Sequence, residues 1–106
     1  MNLNPSQVAS LEKLLQAGFR FITQERYGRY FGIERDGFVV LIDPGDGNLR
    51  MFGQAGYLMG DGIGMLVERD KGRAFVWHQD SVPATPELLD RYQRFRAQVE
   101  DLLREE

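Results

Sequence analysis

The sequence predicts an α+β domain: a curled antiparallel meander of five to seven strands, flanked by an N-terminal helix and a longer C-terminal helix. Three observations carry this. Both ends of the chain bear helix-start signals followed by apolar stripes of helical spacing. Eleven of the 12 glycines fall between Gly28 and Gly72, where apolar spacing becomes alternating or continuous. The joins in that stretch are short, and short joins suit antiparallel neighbours, because a parallel pair needs a crossover of a dozen or more residues. The 106 residues have no composition break, so residues 1–106 read as a single domain.

The first helix begins at Asn4-Pro5-Ser6-Gln7. Asn4 supplies the N-cap oxygen, Pro5 takes the first helical position where no N–H is needed, and Gln7 completes a capping box. Val8, Leu11, Leu14 and Leu15 form its apolar face to about Ala17, and Gly18 is the C-terminal stop. Strands are expected near residues 19–25, 28–35, 38–43, 48–52, 55–59, 63–69 and 73–78. Asp36-Gly37 is the strongest turn signal, since a two-residue type I′ hairpin needs positive φ at both central positions. Phe38 to Ile42 is apolar on both faces, the pattern of a central strand covered from both sides. Thr85-Pro86-Glu87 starts the second helix, which runs to about Arg104. Its stripe is Leu88, Tyr92, Phe95, Val99 and Leu102, and the pairs Glu87–Arg91, Asp90–Arg94 and Glu100–Arg104 are spaced to support it. The faces converge on an expected core of Leu11, Leu15, Phe38, Val40, Ile42, Phe75, Leu88, Tyr92, Phe95 and Val99.

Composition excludes several function classes. With no cysteine, disulfides, thiolate metal sites, iron–sulfur clusters and a cysteine nucleophile are all ruled out. A net charge of −3 argues against a duplex-DNA binder whose affinity rests on phosphate neutralisation. No apolar run approaches a membrane span, and no apolar signal stretch is visible, so a compact cytoplasmic protein of bacterial style is expected. No cofactor, no metal site and no catalytic residue is implied.

Four local features have the residue types of a site. Gly60-Asp61-Gly62-Ile63-Gly64 has the glycine spacing of a phosphate loop but no following helix to receive an anion, so it reads as turn and bulge. Asp43, Asp46 and Asn48 lack the alternate-position spacing of a calcium loop and read as turn chemistry. His78, the single histidine, stands at a strand end before Asp80 and Ser81, too close in sequence for a converging triad; a structural histidine is expected, with Trp77 in the core beside Phe75. Arg26-Tyr27-Gly28-Arg29-Tyr30 interleaves arginine with aromatics, as surfaces that stack single-stranded nucleic acid do. Arg26, Tyr27, Arg29, Tyr30 and His78 are therefore the candidate ligand-binding residues.

In the order of its elements the chain resembles profilin-type domains, and its seven strands with a final helix resemble a pleckstrin-homology-like roll. Neither resemblance carries a motif, so it implies a layout and no functional residue.

The function expected from these residues is a non-enzymatic binding or protein-interaction module, with a second copy of the chain as the favoured partner. Such a sheet has more apolar face than two helices can easily shield, and monomers seldom leave large patches exposed, so either a second subunit covers the remainder or the sheet closes on itself as a barrel or roll. The alternatives are a small-molecule or minor enzymatic site in the concavity of the sheet, built on Tyr27, Tyr30, Arg29 or His78, and single-stranded nucleic acid on the Arg/Tyr face.

Overall fold

A computed structural model describes residues 3–60 and 62–104. Helix α1 (Pro5–Gln16) leads into β1 (Arg20–Ile22), a single 3₁₀ turn (Glu25–Tyr27), β2 (Phe31–Arg35), β3 (Phe38–Asp43), β4 (Arg50–Met59), β5 (Gly62–Arg69), β6 (Gly72–Trp77), β7 (Asp80–Pro83) and α2 (Pro86–Leu103). All strand pairs are antiparallel, and the sheet order is the chain order, β1 to β7. The sheet is open, with β1 and β7 as its edges. The α+β meander with a short first and a long last helix is therefore present, at the upper limit of the expected strand count.

Local chemistry accounts for the boundaries. Asn4 Oδ1 accepts from the Gln7 amide at 2.8 Å while Gln7 Oε1 accepts from the Asn4 amide at 2.9 Å, closing the capping box. Thr85 Oγ1 accepts from the Leu88 amide at 3.2 Å at the start of α2. Asp36 and Gly37 have φ of 56° and 92°, both positive as the tight β2–β3 turn requires.

Three expectations about elements need correction. The strands expected at 48–52 and 55–59 are one strand, β4, interrupted by a bulge. Val39 pairs with Gly56 and Leu41 with Phe52, so Val40 alone faces residues 53–55. Residues 80–83, expected as a loop, form the edge strand β7, where Pro83 costs no ladder bond that a further strand would need. The expected first strand at 19–25 is only three residues long, and the chain turns at Glu25–Tyr27 before β2 begins at Phe31.

Paired residues share a face and neighbours alternate, which sorts the sheet into two sides. Phe31, Ile33, Phe38, Val40, Ile42 and Phe75 face the helices, and Leu14, Tyr92, Phe95 and Val99 complete one buried cluster with them. Leu15, expected in this core, is 45% exposed, whereas its neighbour Leu14 is fully buried. Both lie on the apolar side of α1, and the angle at which that helix meets the sheet selects one. Leu11 and Leu88 are half-buried against the cluster. Of the expected helix ion pairs only Asp90–Arg94 forms, at 3.0 Å; Arg96 reaches Glu100, and Arg104 turns to Asp101.

Gln7 has a second duty that links α1 to the sheet. Only 1% exposed, it donates from Nε2 toward the carbonyls of Pro44, Gly45 and Gly47, holding the β3–β4 connection against the helix start. Gln7→Ala removes both this anchor and half of the capping box. A loss of about 1–3 kcal/mol in urea unfolding is expected, from carbonyls left without their donor. A change under about 0.5 kcal/mol would mean that water replaces the amide at no cost.

Candidate functional site

The face of the sheet turned away from the helices is the candidate surface. Register places Ile22, Val39, Leu41, Phe52, Leu58, Ile63, Met65, Val67 and Val76 on it. Val39 is fully buried there, but Phe52 is 45%, Met65 38% and Val67 37% exposed. The surface is bent. A Cβ on Gly56 would lie 2.5 Å from both the Gly64 carbonyl oxygen and Ile63 Cγ2, so β5 folds over the outward side of β4 at that point. Only a residue without a side chain permits so close an approach.

The five sequence candidates divide into three places. Tyr27 is 7% exposed and spreads its ring over Gly32, whose own missing side chain makes room beside Val39. Its hydroxyl is buried with no hydrogen-bond partner among the described residues, and desolvation raises its pKa above the ordinary tyrosine value, with Arg26 pulling the other way. Tyr30 stacks flat on Phe52, with ring centroids 4.0 Å apart and planes 13° apart. Arg29 lies over the Tyr30 ring at 5.1 Å and 3.7 Å from Asp43 Oδ2, so Tyr30, Phe52, Arg29 and Asp43 form one corner. A hydrogen bond to Tyr30, and then Asp43, raise the Arg29 pKa further, and it is a permanent cation.

Arg26 and His78 meet at Trp77. The guanidinium of Arg26 is 5.8 Å from the Trp77 ring, and the imidazole of His78 stands edge-on to the same ring at 4.3 Å. His78 is not a strand-end residue but the first residue of the β6–β7 turn, with φ of 55°, and it is exposed. Among the described residues it forms no hydrogen bond or ion pair. Asp80 sits across the turn, paired in the ladder with Trp77, so no His–Asp–Ser constellation assembles. Trp77 is half-buried at the rim rather than enclosed in the core as expected. It packs over Gly62, where any Cβ would collide with the indole. Phe52 and Trp77 are thus the two aromatic platforms that sequence reading missed. Their signal was a bare glycine across the ladder or a cross-strand aromatic, visible only once register is known.

Among the described residues Glu34 is the one buried carboxylate of the outer face, and it is satisfied. It accepts from Arg20 Nε at 2.5 Å and from the Gly37 amide at 3.0 Å. No group of three or more histidine, cysteine, aspartate or glutamate side chains converges among the described residues. Of the Gly60–Gly64 segment, Gly60 follows β4 while Gly62, Ile63 and Gly64 begin β5 and pair with it; Asp61 is outside the described residues. Among the described residues no helix is long and apolar enough to cross a membrane.

No family model matches the chain, and no curated protein or solved structure is significantly similar to it. The surface itself is therefore the ground for a functional reading.

Proposed function

We propose that the chain is a non-enzymatic interaction module that pairs with a second copy of itself through the outer face of its sheet. One observation carries this reading: Phe52, Met65 and Val67 are exposed on a face that neither helix covers, since both helices contribute to the single core on the opposite side. The rim supports it. Arg29 and Tyr30 stand beside Phe52 there, and arginine and tyrosine are residue types enriched where proteins meet. A two-fold dimer joins the same patch on both subunits, the commonest closure for a soluble oligomer.

The alternatives find less support in the geometry. Tyr27 fills the hollow over Gly32 that a small molecule would need. Single-stranded nucleic acid requires free aromatic faces, whereas Tyr30 already stacks on Phe52 and holds Arg29 close to its ring.

Light scattering tests the proposal. The 12.2 kDa chain is expected to show twice that mass at micromolar concentration, and Phe52→Glu is expected to return it to one chain. Truncating such a central contact typically weakens association by ~2 kcal/mol or more, about 30-fold. A monomeric wild type that stays monomeric on concentration rejects the dimer.

A further inference from the structure

On the other side of the molecule, where the β2–β3 turn meets α2, lies a cleft of about 450 Å³ lined by Arg35, Asp36, Phe38, Arg91, Arg94 and Phe95. We propose that this cleft binds a small polyanion, a di- or trianionic phosphate or polycarboxylate.

The charge balance comes first. Three arginines face one aspartate, a lining charge of +2 on a chain whose net charge is −3. Asp90 neutralises Arg94 from outside the cleft, at 3.0 Å. Arg91 makes no ion pair among the described residues, its helix neighbour Glu87 staying apart. Glu34, next to Arg35 in sequence, is already engaged by Arg20 and the Gly37 amide, so it does not serve as counter-ion. Two guanidinium charges therefore share the cleft with a single exposed carboxylate, Asp36.

Preorganisation is the second argument. Arg35 is not a waving surface cation: its guanidinium lies 4.3 Å from the Phe19 ring, donates to the Ala17 carbonyl at 3.2 Å and donates to Gln98 Oε1. All these partners are neutral. They fix the side chain without neutralising it, which is how a protein holds a cation ready for an incoming anion at little entropic cost. Arg91 and Arg94 stand three apart on α2 and so project from one side of the helix. Arginine forks match phosphate and carboxylate oxygens in bidentate fashion.

The walls narrow the ligand class. Phe38 and Phe95 form the floor, but each is only 2% exposed, so they offer almost no apolar contact. A ligand with a large hydrophobic body would gain nothing here, whereas a compact polyanion would meet mostly polar groups. The volume is within the usual range of small-molecule sites, about 300–1,000 Å³.

Calorimetric titration of the whole chain with pyrophosphate, and separately with citrate, tests this at constant ionic strength. Saturable binding of either at a Kd below about 1 mM is expected, and which of the two binds tighter distinguishes phosphate from carboxylate chemistry. Arg91→Gln with Arg94→Gln should weaken it at least tenfold. Arg73→Gln, on β6, should leave it unchanged, and Asp36→Asn should strengthen it by removing the opposing charge. Because Arg91 and Arg94 are exposed helix positions, the double variant is expected to fold, which circular dichroism verifies. If neither anion binds in this range, or if the double variant binds as well as the wild type, the cleft is not an anion site. Neither result bears on the dimer, which uses the opposite face.

Discussion

Replacing Phe95 with alanine is expected to remove about 3–5 kcal/mol of stability, the range for deleting an enclosed aromatic ring. Phe95 is where the two helices and the sheet meet. Its ring sits edge-on to Phe19 at 5.6 Å and tilted against Phe38 at 5.9 Å, and Phe38 in turn contacts Tyr57, Phe75 and Tyr92. Cutting the side chain back leaves a void in that aromatic cluster which only rigid neighbours surround, so collapse into it is limited. Against a total of about 5–15 kcal/mol for a small domain, the loss leaves the fold marginal. Urea denaturation followed by circular dichroism reads it directly. A change below about 1 kcal/mol would show that α2 does not close the core.

The second large effect is expected at Gly56. Its φ is not in the left-handed region, so alanine would ordinarily be tolerated there and would even help by restricting the unfolded chain. The near approach of Gly64 and Ile63 reverses the sign. A methyl group 2.5 Å from a backbone carbonyl oxygen forces β4 and β5 apart, and overpacking of this kind costs about 1–3 kcal/mol. Gly47→Ala supplies the contrast, because nothing lies within 4 Å of its Cβ position; it is expected to be neutral or stabilising by about 0.4–1 kcal/mol. Equal midpoints for the two variants would mean that the sheet is not bent at Gly56.

What was legible in the sequence was what local chemistry decides. Asn4 with Gln7, Thr85 with Pro86, and Asp36 with Gly37 each act within four residues, and each produced the boundary it implied. What was not legible depended on distant partners. Leu14 and Leu15 are equivalent to a helical stripe, and only the packing of α1 separates them. β4 looked like two strands because Gly53 and Gln54 break the apolar pattern, yet they are the bulge that lets one strand run on with Gly53 at φ of 70°. β7 was hidden because Asp80, Ser81 and Pro83 are poor strand formers, which an edge position tolerates. At the candidate surface the interleaved arginines and tyrosines were visible from the outset. Their partners Phe52 and Trp77, contributed by β4 and β6, belong to register rather than to spacing.

The strict chain order of the sheet also bears on how the molecule is made. Each strand from β2 onward pairs with the one before it, so its partner has already left the ribosome when it emerges. Hairpins can add one after another with little loop-closure cost, and domains commonly take shape from the N-terminal side during synthesis. The helix-facing side of that growing sheet, however, has only Leu14 and Leu11 of α1 for cover until Pro86–Leu103 arrives with Tyr92, Phe95 and Val99. Among the described elements α2 is the lid of the core and follows every strand in translation, so a chain of which only β1 to β7 have emerged would leave its greasiest surface open to whatever chaperone is at hand.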